Sequence, residues 1–337
     1  MHPDIHIDSV NKVFDDGNHN AFCDIIRFRD RFYLAFRSNP TGHLALEGSS
    51  VRILSSADGV DWEHVHHYEV PGRDIRDPHF AILNDTLFLY TFSWLVQDGG
   101  FEHNHLLGHG VWSTDGTTWS DPEVLEGTLG HYAWRAVTWN GKVYLNARRR
   151  RGFIFTDDRA EIDRLVQSVI MDSEDGLIFK PTIFFPQEGG DETAFQFEDD
   201  GTLLAVMRTV GSPPPHKAPF WRSKPPYTTF ERTLLHRFIG GPMLVKWGDR
   251  YLVGGRRFDG DQAGGVVGSS ASIGWLGGLG ETPHLVEGVN FPSGGDTGYM
   301  GFTAISDTVG LLAYYSSHEG SGTKEAPSAI YVARVRV

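Results

Sequence analysis

Cysteine is almost absent from this sequence: Cys23 stands alone among 337 residues. A single thiol rules out an intramolecular disulfide framework. Basic residues are also in deficit, with 30 Lys and Arg against 43 Asp and Glu, for a formal charge of −13. That balance repels a phosphate backbone and argues against a nucleic-acid partner, although a local basic cluster still suits a small anion. No apolar run approaches the length of a membrane span, so no membrane partner is expected. The opening MHPDIHIDSV lacks the basic-then-apolar layout of a secretory leader. As given, the chain reads as cytoplasmic; a trimmed leader would make it secreted or periplasmic.

What the sequence does contain is enough apolar material for a large core, 40% hydrophobic and 12% aromatic, arranged as a repeat. Six segments share one shape, an apolar strand, a tight polar turn and a second apolar strand. They are IIRFRDRFYLAFR (25–37), FAILNDTLFLYTF (80–92), AVTWNGKVYLNAR (136–148), AFQFEDDGTLLAVMR (194–208), LVKWGDRYLVGGR (244–256) and GFTAISDTVGLLAYY (301–315). Turns such as Asn140-Gly141 and Asp200-Gly201 are hairpin signals. A second motif keeps the same beat: Ser56-Ala-Asp58-Gly59-Val-Asp-Trp62 returns as Ser113-Thr-Asp115-Gly116-Thr-Thr-Trp119, and more weakly as Ser173-Glu-Asp175-Gly176-Leu-Ile-Phe179. Each lies between two short strand-like runs, as the turn of an outer hairpin should.

Two hairpins per repeat make a four-stranded antiparallel sheet, and six such sheets around an axis make an all-β, six-bladed propeller. Nothing marks a linker, so one domain is expected over residues 1–337. The Pro-rich stretch GSPPPHKAPFWRSKPPY (211–227) reads as a long loop within blade 4. EIDRLVQSVI (161–170) suits a short helix or a strand.

If all inner turns lie at one end, the open ends of the hairpins converge at the other. The residues entering the first strands are then Asp24, Asp77, Arg135, Glu192, Pro242 and Tyr299. Those leaving the second strands are Arg37, Ser93, Arg148, Arg208, Arg256 and Tyr315. Carboxylates and arginines gathered at equivalent positions around a concavity favour a functional site over a merely solvated channel.

At this point the residues resemble the sialidase superfamily, six-bladed propellers with repeated Asp-boxes. The S-x-D-G-x-x-W motifs look like those boxes. The stretch from Glu192 to Arg208 is similar to the sialidase segment in which a glutamate precedes a hairpin ending in an arginine of the carboxylate clamp. Tyr299, ahead of GLLAYY, looks like the family's nucleophilic tyrosine, and Arg256 like another clamp arginine. Phrases such as RDP, SKPPY, SGGDT-Y and YYSSHEG place the resemblance nearest a bacterial sialidase-like branch. The chain departs from the pattern at Ala21-Phe22-Cys23-Asp24-Ile25-Ile26, where sialidases carry Phe-Arg-Ile-Pro; the first clamp arginine is replaced by Cys23 or Asp24.

The resemblance implies a carbohydrate-active enzyme, an exo-acting glycoside hydrolase that removes a terminal acidic or polar sugar from an oligosaccharide. A phenol, with its ordinary pKa near ~10, needs a base to act as nucleophile, and Glu192 is that base by resemblance. Asp77 is the first choice of general acid, with Asp24 and Asp296 as competitors. Arg37, Arg135, Arg208 and Arg256 suit carboxylate binding or hydroxyl orientation. Trp134 offers a stacking face or fills the core, Asp296 reaches the site or holds a turn, and His318 follows the last inner strand. His103, His105 and His109 invite a metal reading that no further ligand pattern supports, so neither metal nor cofactor is expected. A lyase acting on a uronate-containing glycan and a non-catalytic glycan-binding propeller are the alternatives.

Overall fold

Short apolar runs joined by tight polar turns fold as hairpins, and six such inner hairpins, each extended by two outer strands, make up nearly all of the described residues. The computed structural model describes residues 2–337 except 45–46, 98–99, 153–155, 157, 187, 211–216, 259–268, 321–322, 324 and 326, together with the side chains of 100–104 and 159. Six four-stranded antiparallel sheets stand around one axis. In blades 1 to 5 the strands follow sequence order, beginning with His19–Phe28, Arg73–Leu83, His131–Trp139, Gly190–Phe197 and Gly240–Trp247. Blade 6 begins at Thr297–Ala304 and takes its outermost strand, His6–Phe14, from the start of the chain. That strand pairs antiparallel with Ala329–Arg336 and seals the ring. The six first strands contact one another in sequence and line the axis. All six inner hairpins read from the repeat are present.

Two local readings resolve differently. Residues 161–170 are neither helix nor strand throughout: a short helix, Arg159–Leu165, runs straight into the strand Val166–Ser173. Within 211–227, residues 211–216 lie outside the described residues, but Pro219–Ser223 is the third strand of blade 4 rather than loop.

The three S-x-D-G motifs form the outer turns of blades 1 to 3 and pack against neighbouring blades. In the first, Asp58 Oδ1 accepts from the backbone N–H groups of Val60 (2.8 Å) and Asp61 (3.0 Å), and Ser56 Oγ accepts from Gly59 N–H (2.8 Å). The second box needs a glycine for space: a Cβ on Gly116 would lie 1.8 Å from the Tyr33 hydroxyl of blade 1.

One feature of the ladder governs the axis. Every first strand carries one extra residue at the same level, so its pairing with the second strand slips once. The slips fall at Phe22–Cys23, Asp77–Pro78, Trp134, Asp191–Glu192, Gly241–Pro242 and Tyr299–Met300. Phe22, Asp77, Gly241 and Tyr299 adopt left-handed backbone there, with φ of 57°, 52°, 54° and 46°. Such bulges re-aim a side chain and end regular pairing. For Phe, Tyr and Asp the conformation costs roughly 1–3 kcal/mol each, strain of the kind that gathers at functional sites. The residues before each bulge face one end of the axis, and those after it face the other.

Candidate active site

The Tyr299 hydroxyl donates to Glu192 Oε1 at the centre of the bulge ring. Arg208 Nη1 donates to the same oxygen at 2.5 Å and reaches the phenol oxygen at 3.5 Å. Glu192 Oε2 accepts from the Gly241 N–H at 2.8 Å. Burial pushes the Glu192 carboxyl up, but Arg208, the phenol and the Gly241 N–H together hold it below its ordinary value, so it is ionised. Burial, and then the Glu192 charge, push the Tyr299 phenol well above its ordinary value, so it keeps its proton. Gly241 is required here, because a Cβ would lie 2.9 Å from the Tyr299 ring. Cys23 supports the strained tyrosine from below, its Sγ–H donating to the Tyr299 carbonyl at 3.3 Å.

Asp77 stands across the ring. Tyr132 OH donates to its Oδ2 at 2.5 Å, and its Oδ1 is sealed without a partner. Burial pushes this carboxyl up to about 7 against the pull of Arg76 and Tyr132, and the Glu192 charge adds to the rise. An acid raised to near neutrality thus feels the charge of an ionised carboxylate that holds a phenol, two proton-handling groups with pKa values driven apart.

A second cluster closes the blade 1–blade 6 side. Asp296 is fully buried; its Oδ1 accepts from Arg256 Nη2 (3.0 Å) and Tyr315 OH (2.9 Å), and its Oδ2 from His19 Nε2 (2.8 Å) and His43 Nδ1 (2.5 Å). Burial would raise this carboxyl, but His43, His19 and Arg256 hold it well below the ordinary range. Both imidazoles are neutral: burial lowers His19, and lowers His43 to about 4. His19, His43 and Asp296 are also the one trio of metal-ligating types brought together among the described residues. Each donor atom is already used in a hydrogen bond to or from Asp296, and Arg256, Arg37 and Arg76 put positive charge beside it. That charge opposes a cation, so the trio is an imidazole–carboxylate array.

Of the residues expected from sequence, Tyr299, Glu192, Asp77, Arg208, Arg256 and Asp296 come together around this ring. Others do not. Asp24 and Arg135 lie past the bulge and line a cavity of about 150 Å³ on the inner-turn side of the axis. There Asp24 Oδ2 accepts from the Phe80 N–H (2.9 Å), and Arg135 Nε donates to the Pro242 carbonyl (2.8 Å), so both act as struts between blades. Arg37 is fully buried and spends its donors on Asp74 and on the carbonyls of Gly42 and Leu44. It builds the loop after its strand with four of its five N–H groups, and complete burial keeps the guanidinium away from a ligand. Trp134 is 6% exposed and covered by the Arg148 guanidinium, 5.1 Å from its ring centre, which favours the core-packing reading. His318 turns to Ser316 Oγ (2.9 Å) and the Tyr331 ring. His103 lies outside the described side chains, His105 is exposed, and His109 is buried and neutral.

Sequence reasoning missed Phe22, His19, His43, Asp74, Arg76 and Tyr132. The Phe22 ring meets Tyr299 edge-on at 5.0 Å, beside the Arg76 guanidinium at 5.3 Å. Asp74 neutralises Arg37 and Arg76 together. An R-D-x-R-D run at 73–77 was the available signal for the last pair, since alternate residues of a strand share a face.

No protein-family model matches the sequence, and neither does any curated protein. Solved structures do match in fold. A protein of unknown function from Dyadobacter fermentans superimposes with a TM-score of 0.78 at 18% identity, covering 100% of both chains. Trypanosoma rangeli sialidase gives 0.69 at 12% identity, over 99% of this chain and 60% of its own. The phage phi92 endosialidase gives 0.66 at 10% identity, over 98% of this chain and 69% of its own. This chain therefore spans well under the full length of both enzymes. What it shares with them is a sialidase-like six-bladed propeller fold.

Proposed function

We propose that this protein is a glycoside hydrolase that removes a terminal acidic or polar sugar at the bulge ring, with Tyr299 as nucleophile. The observation that carries the reading is the Tyr299–Glu192–Arg208 hydrogen-bond cluster, with Asp77 near enough to feel the Glu192 charge. As the phenol oxygen bonds to the anomeric carbon, its proton passes to Glu192 Oε1. Asp77 gives its proton to the leaving glycosidic oxygen, and the bond from that oxygen to the anomeric carbon breaks. Asp77, now a carboxylate, then takes a proton from the water that releases the sugar, and Glu192 returns its proton to the phenol. A neutral phenol suits a substrate bearing a carboxylate, which would repel an anionic nucleophile. Arg208, 31% exposed in its side chain, and Arg256 supply the positive charge for such a group.

Similarity of fold to two sialidases supports a glycan substrate, and the sealing of Arg37 and the presence of Phe22 beside Tyr299 favour a sugar other than the one those enzymes are named for. The test is a screen of oligosaccharides rich in uronic, sialic and deoxy sugars, read by mass. Products that have gained water support hydrolysis. An unsaturated product without that gain makes the protein a lyase, and binding without products makes it a glycan-binding propeller.

A further inference from the structure

His43 is held from every side. Three successive carbonyls of its loop are fixed by guanidinium groups: Gly42 by Arg37 Nη1 (3.0 Å), His43 by Arg76 Nη2 (2.8 Å) and Leu44 by Arg37 Nη2 (3.2 Å). Asp74 holds both arginines in turn. Thr41 N–H donates to Asn39 Oδ1 (2.8 Å), which fixes the start of the same loop. The imidazole edge packs on Phe22 at 5.1 Å, and Phe22 packs on Tyr299 at 5.0 Å. Its Nδ1 faces the ionised Asp296, so Nδ1 carries the ring proton and Nε2 carries the lone pair. His43 Nε2 has no protein partner among the described residues and is not sealed off, the side chain being 16% exposed. The other imidazole on Asp296, His19, is 1% exposed and serves only as support.

We propose that His43 reads a hydroxyl of the sugar in this site, its Nε2 accepting a hydrogen bond from a substrate O–H. The assignment rests on the glycan reading above and narrows its substrate class. The ligand presents a hydroxyl to the blade 1–blade 6 corner and an anion to Arg208 and Arg256. A neutral acceptor backed by a carboxylate attracts an O–H and repels a second anion. The titratable and charged groups facing the imidazole are Asp296, His19 and Arg76. Burial keeps the ring neutral despite the Asp296 charge, so the acceptor persists throughout the neutral range.

Two properties are read on the protein alone, so the absence of any turnover, which would sink the hydrolase reading, leaves them measurable. Long-range ¹H–¹⁵N spectra at pH 7 should show His43 as the Nδ1–H tautomer. Diethylpyrocarbonate should carbethoxylate His43 and spare His19. A protonated Nε2, or an unreactive His43 in folded protein, overturns the proposal. Tight Zn²⁺ binding that His43→Ala abolishes also overturns it, in favour of a metal site. The third measurement uses the oligosaccharide found by the screen and analogues deoxygenated at successive positions. For the wild type one deoxy analogue should lose about 100-fold or more in kcat/KM. In His43→Ala that penalty should vanish, and His43→Gln, which keeps an acceptor, should restore part of it. An unchanged penalty in His43→Ala overturns the assignment, whereas a merely structural role would slow all analogues alike.

Discussion

Glu192 Oε1 accepts hydrogen bonds from Tyr299 and Arg208 at once, so the phenol and the guanidinium share one carboxylate oxygen. The arrangement ties blade 6 to both inner strands of blade 4 across the axis. It also means that the proton acceptor for the phenol is held ready by a positive charge rather than left to solvent.

Removing the phenol oxygen should therefore silence the site and leave the fold alone. In Tyr299→Phe, Glu192 keeps Arg208 and Gly241 as partners. Turnover of the screened substrate should fall by about 10³-fold or more while the melting temperature stays within a few degrees. Glu192→Gln should lose about 10²- to 10⁴-fold. Near-normal rates in the phenylalanine variant would remove Tyr299 as nucleophile.

Asp77 makes the sharpest pH prediction. Its folded pKa of about 7 lies above the unfolded value, so the folded state holds a proton that the unfolded state has released between pH 4 and 7. Its contribution to stability is present below pH 4 and is lost as pH rises through 7, on the order of 4 kcal/mol in all. Asp77→Asn should flatten that part of the urea-unfolding profile. The basic limb of the kcat profile should fall near pH 7 in the wild type and disappear in the much slower asparagine variant. A stability profile unchanged by the substitution would mean that Asp77 is ionised throughout.

Asp74 neutralises two guanidinium groups that have little access to water. Asp74→Ala strands both, and breaking such a buried pair costs about 3–5 kcal/mol. The denaturation midpoint should drop accordingly. Asp74→Asn should lose less, because the amide oxygen still accepts a hydrogen bond.

Gly241→Ala tests the packing against Tyr299. The new methyl group would sit 2.9 Å from the Tyr299 ring on a backbone with φ of 54°. Strain of roughly 1–3 kcal/mol is expected, along with displacement of the phenol from Glu192. Activity should fall more than stability. An unchanged rate would show that Tyr299 need not occupy its observed position.

The blades were legible because hairpin turns and alternating runs write their own period, and the six inner hairpins stand where the repeat put them. The site was legible in part, for a geometric reason. Counting back from each turn assumes an unbroken ladder, and the extra residue in every first strand breaks it. Tyr299, Asp77 and Glu192 all fall within a bulge, whereas Asp24 and Arg135 fall beyond it and turn to the opposite end of the axis. Left-handed φ at Phe22 and Tyr299 has no signature in those residue types, which disfavour it. His43 was invisible because it lies in a connection without periodicity, positioned by Arg37, which sequence reasoning assigned to the ligand, and by Arg76, which it missed.

The ring is sealed by strand pairing between the two ends of the chain, with no covalent link. The candidate site straddles that latch: His19 belongs to the first blade and Asp296 to the approach to the last. Breathing of the seam would part an imidazole from its carboxylate before any blade gives way. On warming, competence at the site should decay ahead of β-structure, as a clasp slips while the bracelet stays whole. A circular dichroism melt that coincides with the loss of the His19–Asp296 contact would show the clasp to be as strong as the links.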